Sequence, residues 1–184
     1  MTGATPNSNG RRLMTDIATS AVPPLIKSVV IPCSVSIAFT LFTEHLAEWW
    51  PLGRFHAAPN PRDCGVEPWV GGRVYERGAD GSLIEWGRVI AWQRPQRCSF
   101  TWWLGVDASQ AQLLTVAFAN VQGGTRVKLM HTGWQKLGAA AHTRRDQTDD
   151  DWNIVFNTCY REYAERYADA QPAATADDDL GTTT

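Results

Sequence analysis

One histidine lies in the most regular segment of the sequence. Residues 125–132 alternate between polar and apolar side chains, a pattern typical of a β-strand with one buried face. On such a strand His131 shares a face with Val127 and Leu129, and the opposite face carries Arg126, Lys128 and Met130. Because histidine has an unperturbed pKa of about 6.5, His131 could exchange a proton with a ligand near neutral pH. The alternative, a buried histidine that only hydrogen-bonds a neighbour, stays open.

The sequence contains none of the common catalytic motifs: no G-x-S-x-G, no H-E-x-x-H, no P-loop and no dinucleotide fingerprint. Four residues near the end of the first predicted helix, His45, His56, Asp63 and Cys64, are spaced too loosely to favour a metal site. The other cysteines, Cys33, Cys98 and Cys159, form no C-x-x-C pair, which indicates reduced thiols. We expect no metal and no cofactor, and the sequence favours a non-catalytic protein over an enzyme.

Aromatic residues are abundant, with nine Trp, four Tyr and six Phe. Near the C-terminus, apolar and aromatic side chains recur at spacings of three and four and predict an amphipathic helix beginning at Trp152: Trp152, Val155, Phe156, Cys159, Tyr160, Tyr163 and Tyr167. Asp149, Asp150 and Asp151 precede it, and acidic side chains are favourable at a helix N-terminus. The stripe requires an apolar surface to pack on.

Strand patterns fill the preceding part of the chain. Residues 25–31 predict a strand that ends at Pro32, and a helix capped by Ser34 or Ser36 follows and ends at Pro51. After a proline-containing loop, strands are predicted over 65–77, 83–92, 98–104, 113–119 and 125–132, with turns at Asp80-Gly81 and Gly123-Gly124. Alternation places Phe100, Trp102, Leu114, Val116 and Phe118 on the face toward the helix. Gly71-Gly72 leaves the inward face of the strands from 65 to 92 open.

These elements predict one α+β domain over residues 23–168: a curved antiparallel sheet of about six strands wrapped around a long C-terminal helix, with one or two short helices after the first strand. Residues 1–22 and the acidic segment 169–184 are predicted to be flexible tails. A net charge of −2 does not favour nucleic-acid binding, and no apolar run is long enough to span a membrane. Without a secretory signal, the expected location is the cytoplasm. A homodimer stays open.

Several short segments, in this order and spacing, resemble the helix-grip superfamily of START domains, plant pathogenesis-related allergens, polyketide cyclases and homologues of the Hsp90 ATPase activator. They are Ala47-Glu48-Trp49-Trp50, Gly71-Gly72-Arg73-Val74, Gly87-Arg88-Val89, Pro95-Gln96-Arg97, Phe100-Thr101-Trp102, Thr125-Arg126-Val127 and His131-Thr132-Gly133. The activator-like branch is the most similar, over residues 25–168. One departure is Gly133-Trp134, which members often place directly before the last helix and which a predicted linker to Asp149 follows here.

A sheet curved around a helix leaves a space that can hold a ligand. The expected lining residues are Trp50 at the entrance, Phe100, Trp102, Val116, Phe118, Leu129 and His131 from the strands, and Trp152, Phe156, Cys159, Tyr160 and Tyr163 from the helix. Simple core packing is the alternative for each apolar member. Glu76, Glu85 and Arg88 could add polar groups if their strands turn them inward.

Three functions are compatible with this architecture, because fold does not fix function. The preferred one is a carrier, sensor or sequestering protein that binds a small apolar or aromatic molecule in the cavity. The second is a polyketide cyclase or aromatase-like enzyme, with a cavity His or Tyr as general acid or base. The third is a chaperone-associated interaction module.

Overall fold

A computed structural model of the protein describes residues 22–170, so the predicted tails lie almost wholly outside the described residues. The strands are β1 (Leu25–Ile31), β2 (Pro61–Val66), β3 (Arg73–Gly78), β4 (Leu83–Gln93), β5 (Arg97–Trp102), β6 (Gln112–Val121) and β7 (Gly124–Thr132). The helices are α1 (Val35–Thr43), α2 (Leu46–Trp49), α3 (Ala141–Trp152) and α4 (Arg161–Ala170), with a π-helical segment (Asn153–Tyr160) between the last two and short 3-10 segments at Ala108–Gln110 and Trp134–Ala140.

All seven strands form one antiparallel sheet in the order β1-β7-β6-β5-β4-β3-β2. The predicted alternation in β7 is confirmed, because Val127, Leu129 and His131 are buried whereas Arg126 and Lys128 are exposed. The register shifts between Val74 and Tyr75 and between Val89 and Ala91. Such bulges add bend and twist, which lets the sheet curl around the helix.

The helices cover the buried face of the sheet. Ser34 caps α1 by accepting a hydrogen bond from the Ile37 amide, as one of the two predicted caps. The C-terminal helix runs from α3 through the π-helical segment into α4 and buries Trp152, Phe156 and Tyr160. This is the predicted α+β helix-grip architecture. None of the helices within residues 22–170 is long and apolar enough to cross a membrane.

The single strand predicted over residues 65–77 is wrong, and the sheet has seven strands instead of about six. The chain forms two strands, β2 and β3, which pair with each other and are joined by a loop. The Glu67 carboxylate accepts hydrogen bonds from the Arg73 amide and guanidinium, and Gly71 adopts a φ of 90°, so the loop is closed by an ion pair and a left-handed glycine. Pro61 is tolerated because β2 is an edge strand.

The predicted start of the last helix is also wrong. Helix α3 begins at Ala141, eleven residues before Trp152, so the three consecutive aspartates lie inside the helix and not ahead of it. Residues 142–151 are polar on every side of the helix and therefore give no amphipathic signal. Gly133-Trp134 leads through the 3-10 segment directly into α3, with no linker.

Candidate ligand-binding cleft

A cleft of about 190 Å³ opens where the end of β5, the loop after α2 and one face of the C-terminal helix meet. Aromatic and aliphatic side chains line its inner part, and charged side chains line its mouth. The lining residues are Trp50, Arg54, Phe55, His56, Trp102, Leu104, Gly105, Arg144, Thr148, Asp151, Trp152 and Val155.

Three indole rings from three different elements form the inner walls of the cleft. The ring centroids of Trp50 and Trp102 are 5.8 Å apart, those of Trp102 and Trp152 are 5.9 Å apart, and those of Trp50 and Trp152 are 6.1 Å apart. Each of the three side chains is more than nine-tenths buried, so the rings are fixed by packing on their outer sides. The walls are therefore rigid aromatic surfaces.

Hydrogen bonds to buried groups fix the loop between α2 and β2. The Trp50 indole N–H donates to the Phe55 carbonyl at 2.8 Å, which closes the first turn of the loop. The Glu76 carboxylate, fully buried on β3, accepts hydrogen bonds from the amides of Ala57 and Ala58 and from the Trp86 indole N–H. A buried carboxylate requires such donors. Glu76 thus ties the loop that carries Arg54, Phe55 and His56 to the sheet.

His131 lies behind the cleft wall and not in the cleft. It is 1% exposed, and its Nδ1 accepts a hydrogen bond from the Trp152 indole N–H at 3.2 Å. Its ring packs on Trp134 at a centroid distance of 4.2 Å. Burial lowers the pKa of His131 to about 3, so the imidazole is neutral at physiological pH. The structure therefore places His131 as a partner that orients Trp152.

The charged residues at the mouth come from the loop and from α3. Arg144, Thr148 and Asp151 follow one another at helical spacing and face the cleft together, with Arg54 contributed by the loop. Burial raises the pKa of the Asp151 carboxyl, and the neighbouring Arg54 and Arg144 oppose this rise. A carboxyl group with a raised pKa is thus held in an aromatic cleft beside two guanidinium groups.

Of the residues expected to bind a ligand, the structure brings Trp50, Trp102 and Trp152 together in the cleft. Phe100 borders an interior void of only about 20 Å³. The side chains of Val116, Phe118, Leu129, Phe156 and Tyr160 are packed in the core. The Tyr160 hydroxyl donates to the Ala38 carbonyl at 2.9 Å, and the Tyr163 hydroxyl shares a 2.8 Å hydrogen bond with His45. Cys159 is partly buried on the same helix.

Sequence reasoning did not find the polar part of the cleft. Arg54 and Phe55 lie in the proline-containing loop, for which the sequence predicted no contact with a ligand. Arg144 and Thr148 lie in the segment that was predicted to be a linker. Asp151 belongs to the acidic run that was predicted to precede the helix. Helical spacing of Arg144, Thr148 and Asp151 is a signal in the sequence, but it gains meaning only once α3 is known to begin at Ala141.

The other polar candidates lie elsewhere. Glu85 and Arg88 form a partly exposed ion pair at 2.7 Å on β4. Within residues 22–170, no group of three or more His, Cys, Asp or Glu side chains is arranged to hold a metal ion, and His45, His56, Asp63 and Cys64 form no such group.

Two bacterial proteins of known structure have the same fold, and a third solved structure is similar in sequence. A Rhodobacter sphaeroides protein is 19% identical with a TM-score of 0.58, over 83% of this chain and 97% of that one. An AHSA1-like protein from Aeromonas hydrophila is 18% identical with a TM-score of 0.56, over 79% of this chain and 94% of that one. An anthrahydroquino-γ-pyrone synthase, Txn09, solved in a ligand complex, is 34% identical with a TM-score of 0.48, over 70% of this chain and 88% of that one.

No match was found among curated proteins. The family model described as "Activator of Hsp90 ATPase homolog 1-like protein" matches residues 33–159, from the start of α1 almost to the end of the π-helical segment. This range includes every residue that lines the cleft. The chain therefore belongs to the family of activator of Hsp90 ATPase homologue 1-like proteins.

Proposed function

We propose that this protein binds a small apolar or aromatic molecule in the cleft and acts as a carrier, sensor or sequestering protein. The observation that carries this proposal is a cluster of three fixed indole rings that borders an open space of about 190 Å³. Ligand sites in proteins combine such apolar walls with a few polar groups at defined positions.

The size of the cleft limits the ligand. An apolar cavity of about 150 Å³ is known to accept benzene. A cleft of about 190 Å³ that is open on one side therefore suits one or two aromatic rings, with further groups extending toward solvent. Each Å² of apolar surface that such a ligand buries contributes about 25 cal/mol.

The space between the sheet and the helix is otherwise filled. The interior void beside Phe100 has a volume of about 20 Å³, which holds no more than a single water molecule. Binding at the cleft needs no rearrangement of the core, whereas binding in the interior requires Phe42, Trp49 or Phe100 to move. The cleft is therefore the proposed site, with Trp50, Trp102 and Trp152 as the main contacts.

Native mass spectrometry of the purified protein, followed by denaturing extraction, tests for a molecule that co-purifies. Tryptophan fluorescence titration with naphthalene derivatives tests binding directly, because three of the nine tryptophans line the cleft. In the variant Thr148→Trp a new indole fills the cleft, so quenching by the ligand should be lost. In the matched variant Thr143→Trp, at an exposed position of the same helix, quenching should persist. Equal titrations of both variants would sink the proposal.

One observation favours a second candidate, a cyclase or aromatase-like enzyme. Asp151 faces the cleft with a raised pKa, and a carboxyl group poised in this way can act as a general acid or base. His131 and Tyr160, the residue types expected for this role, both lie outside the cleft. Deuterium exchange into an aromatic ketone with an enolisable C–H bond tests this candidate. Exchange should be accelerated by the protein and abolished in Asp151→Asn.

A further inference from the structure

The charges at the mouth of the cleft are unequal. Two guanidinium groups, Arg54 and Arg144, face the cleft with one carboxylate, Asp151. None of the three forms an ion pair within 4.0 Å among residues 22–170, although Asp151 is close enough to both arginines for their charges to lower its pKa. With Asp151 ionised, the mouth carries one positive charge in excess.

Within residues 22–170, several arginines are paired with carboxylates, whereas Arg54 and Arg144 are not. Arg73 pairs with Glu67, Arg94 with Glu44, and Arg88 with Glu85. The two cleft arginines instead make weaker contacts. Arg144 donates to the Gly105 carbonyl at 3.3 Å and to the Gln147 side-chain oxygen at 3.5 Å, and Arg54 lies over the Phe55 ring at 5.3 Å. Their remaining N–H donors are free to bind a group in the cleft, within the part of the chain that the structure describes.

Both arginines sit on anchored backbone. Arg54 belongs to the loop held by Trp50 and by the buried Glu76 carboxylate, and Arg144 belongs to α3. Anchoring reduces the ordering cost of binding, because only the side chains must settle on the ligand. Guanidinium groups bind planar oxyanions through two parallel hydrogen bonds, so the pair is suited to a carboxylate or a similar anion.

We infer that the cleft selects a monoanionic aromatic ligand of one or two rings, whose rings pack against the cluster of Trp50, Trp102 and Trp152 and whose anionic group lies between Arg54 and Arg144. This inference rests on the proposed function and narrows its ligand class to aromatic carboxylates and related anions. Asp151 disfavours a ligand with a second negative charge, because that charge would lie beside the Asp151 carboxylate.

Isothermal titration calorimetry with three probes of one shape tests this selection: 2-naphthoate, the neutral 2-naphthamide and the cationic 2-naphthylmethylammonium. We expect 2-naphthoate to bind at least about tenfold more tightly than 2-naphthamide, the effect of one charge-assisted hydrogen bond. The cation should bind least tightly. Higher salt should reduce the difference between carboxylate and amide, because the arginines are accessible to solvent.

Variants of Arg54 and Arg144 test whether these two residues cause the preference for 2-naphthoate over 2-naphthamide. In the double variant Arg54→Gln/Arg144→Gln, 2-naphthoate should lose its advantage over 2-naphthamide, because its affinity should fall by at least about tenfold and that of 2-naphthamide by much less. Arg126→Gln removes an exposed arginine from the opposite face of the sheet and should leave both affinities unchanged. Thermal unfolding of each variant verifies that it is folded.

The outcomes separate the anion inference from the proposed function. If 2-naphthoate and 2-naphthamide bind the natural sequence equally well, or if the double variant keeps the preference, the anion inference is overturned and the cleft remains a binding site. If no probe binds the natural sequence, the anion inference and the proposed function fail together.

Discussion

The sheet and the C-terminal helix meet in two regions that are both rich in aromatic side chains, but one region is close-packed and the other contains the cleft. In the packed region, Phe42, Phe118, Phe156 and Tyr160 fill the space except for a void of about 20 Å³. Phe156 stacks on Tyr160 at 5.5 Å, and Phe42 meets Tyr160 edge-on at 5.3 Å. One helical turn toward the N-terminus, Trp50, Trp102 and Trp152 contact one another at similar ring spacings, but their cluster borders an open cleft.

The helix residues explain the difference. In the packed region the helix presents Phe156 and Tyr160, which are both fully buried against the sheet. In the cleft it presents Arg144, Thr148 and Asp151 beside Trp152 and Val155. The first three are charged or too short to fill the space, and a charged group inserted among indoles would lose its hydration. Aromatic content alone therefore does not indicate a cavity; the polar residues on the facing helix do.

The largest expected effect lies in the packed region. Phe156→Ala should lower the free energy of unfolding by about 3–5 kcal/mol, because it leaves a cavity where Phe156 packs on Phe42 and Tyr160. Phe55→Ala, at the half-buried rim of the cleft, should cost less. Urea unfolding of both variants measures the difference. Equal losses would mean that the two regions are packed alike.

The anchor of the cleft loop should give the next largest effect. Glu76→Gln replaces one acceptor oxygen with a donor that faces the Ala57 and Ala58 amides or the Trp86 indole. We expect a loss of about 3 kcal/mol, near the upper range for a buried donor left without an acceptor. Glu85→Gln, at a partly exposed ion pair, should cost less than about 1 kcal/mol.

Amide hydrogen exchange shows whether the loss in Glu76→Gln is local. Exchange at Ala57 and Ala58 should accelerate in this variant more than exchange in β6 or β7, because only the loop loses its acceptor. Uniform acceleration across the sheet would contradict the role of Glu76 as a specific anchor of the loop.

The sequence was sufficient where one face is buried and the other is solvated. The alternation of β7 predicted the burial of Val127, Leu129 and His131, and the alternation of β5 predicted that of Phe100 and Trp102. It failed where this contrast is missing. Residues 142–151 form most of α3 without an apolar face, and each of their side chains is exposed or only half-buried.

The polar half of the cleft depends on tertiary structure. Arg54 and Arg144 are ninety residues apart and come together only because Glu76 anchors one loop while α3 extends N-terminally past Trp152. For His131 the strand face was predictable from the sequence, but the hydrogen-bond partner was not. Its function depends on whether Trp152 or a ligand donates a hydrogen bond to its Nδ1. Sequence patterns give the face of a residue more reliably than its partner.

The free energy of unfolding should decrease in acid because of His131, which lies behind the wall of the cleft. Because burial lowers the pKa of His131 to about 3, the unfolded chain binds the proton more tightly, and stability present above about pH 6.5 is lost as the pH falls toward 3. At pH 5 the loss is about 2 kcal/mol. Urea unfolding at pH 8 and pH 5 measures it. The loss should shrink in His131→Gln and persist in His142→Gln, an exposed site; a loss unchanged in His131→Gln would exclude this origin.

The smallest expected effect lies at the mouth of the cleft. Burial raises the pKa of Asp151, Asp150 raises it further, and Arg54 and Arg144 oppose the rise. As the pH falls through this pKa, the carboxyl loses its charge and stops competing with a bound anion for the two arginines. Binding of 2-naphthalenesulfonate, which stays anionic throughout, should therefore tighten by about two- to fivefold, as for a partly solvated charge pair.

Calorimetry of sulfonate binding from pH 8 to pH 4 measures this change in affinity. His56 also lines the cleft, so the variant His56→Gln separates its contribution from that of Asp151. Asp151→Asn should bind the sulfonate more tightly at pH 8 and should show a flatter profile. A profile unchanged in Asp151→Asn but flattened in His56→Gln would assign the acid dependence to the loop. The pH dependence of anion binding would then originate from the loop that carries His56 and not from Asp151 on α3.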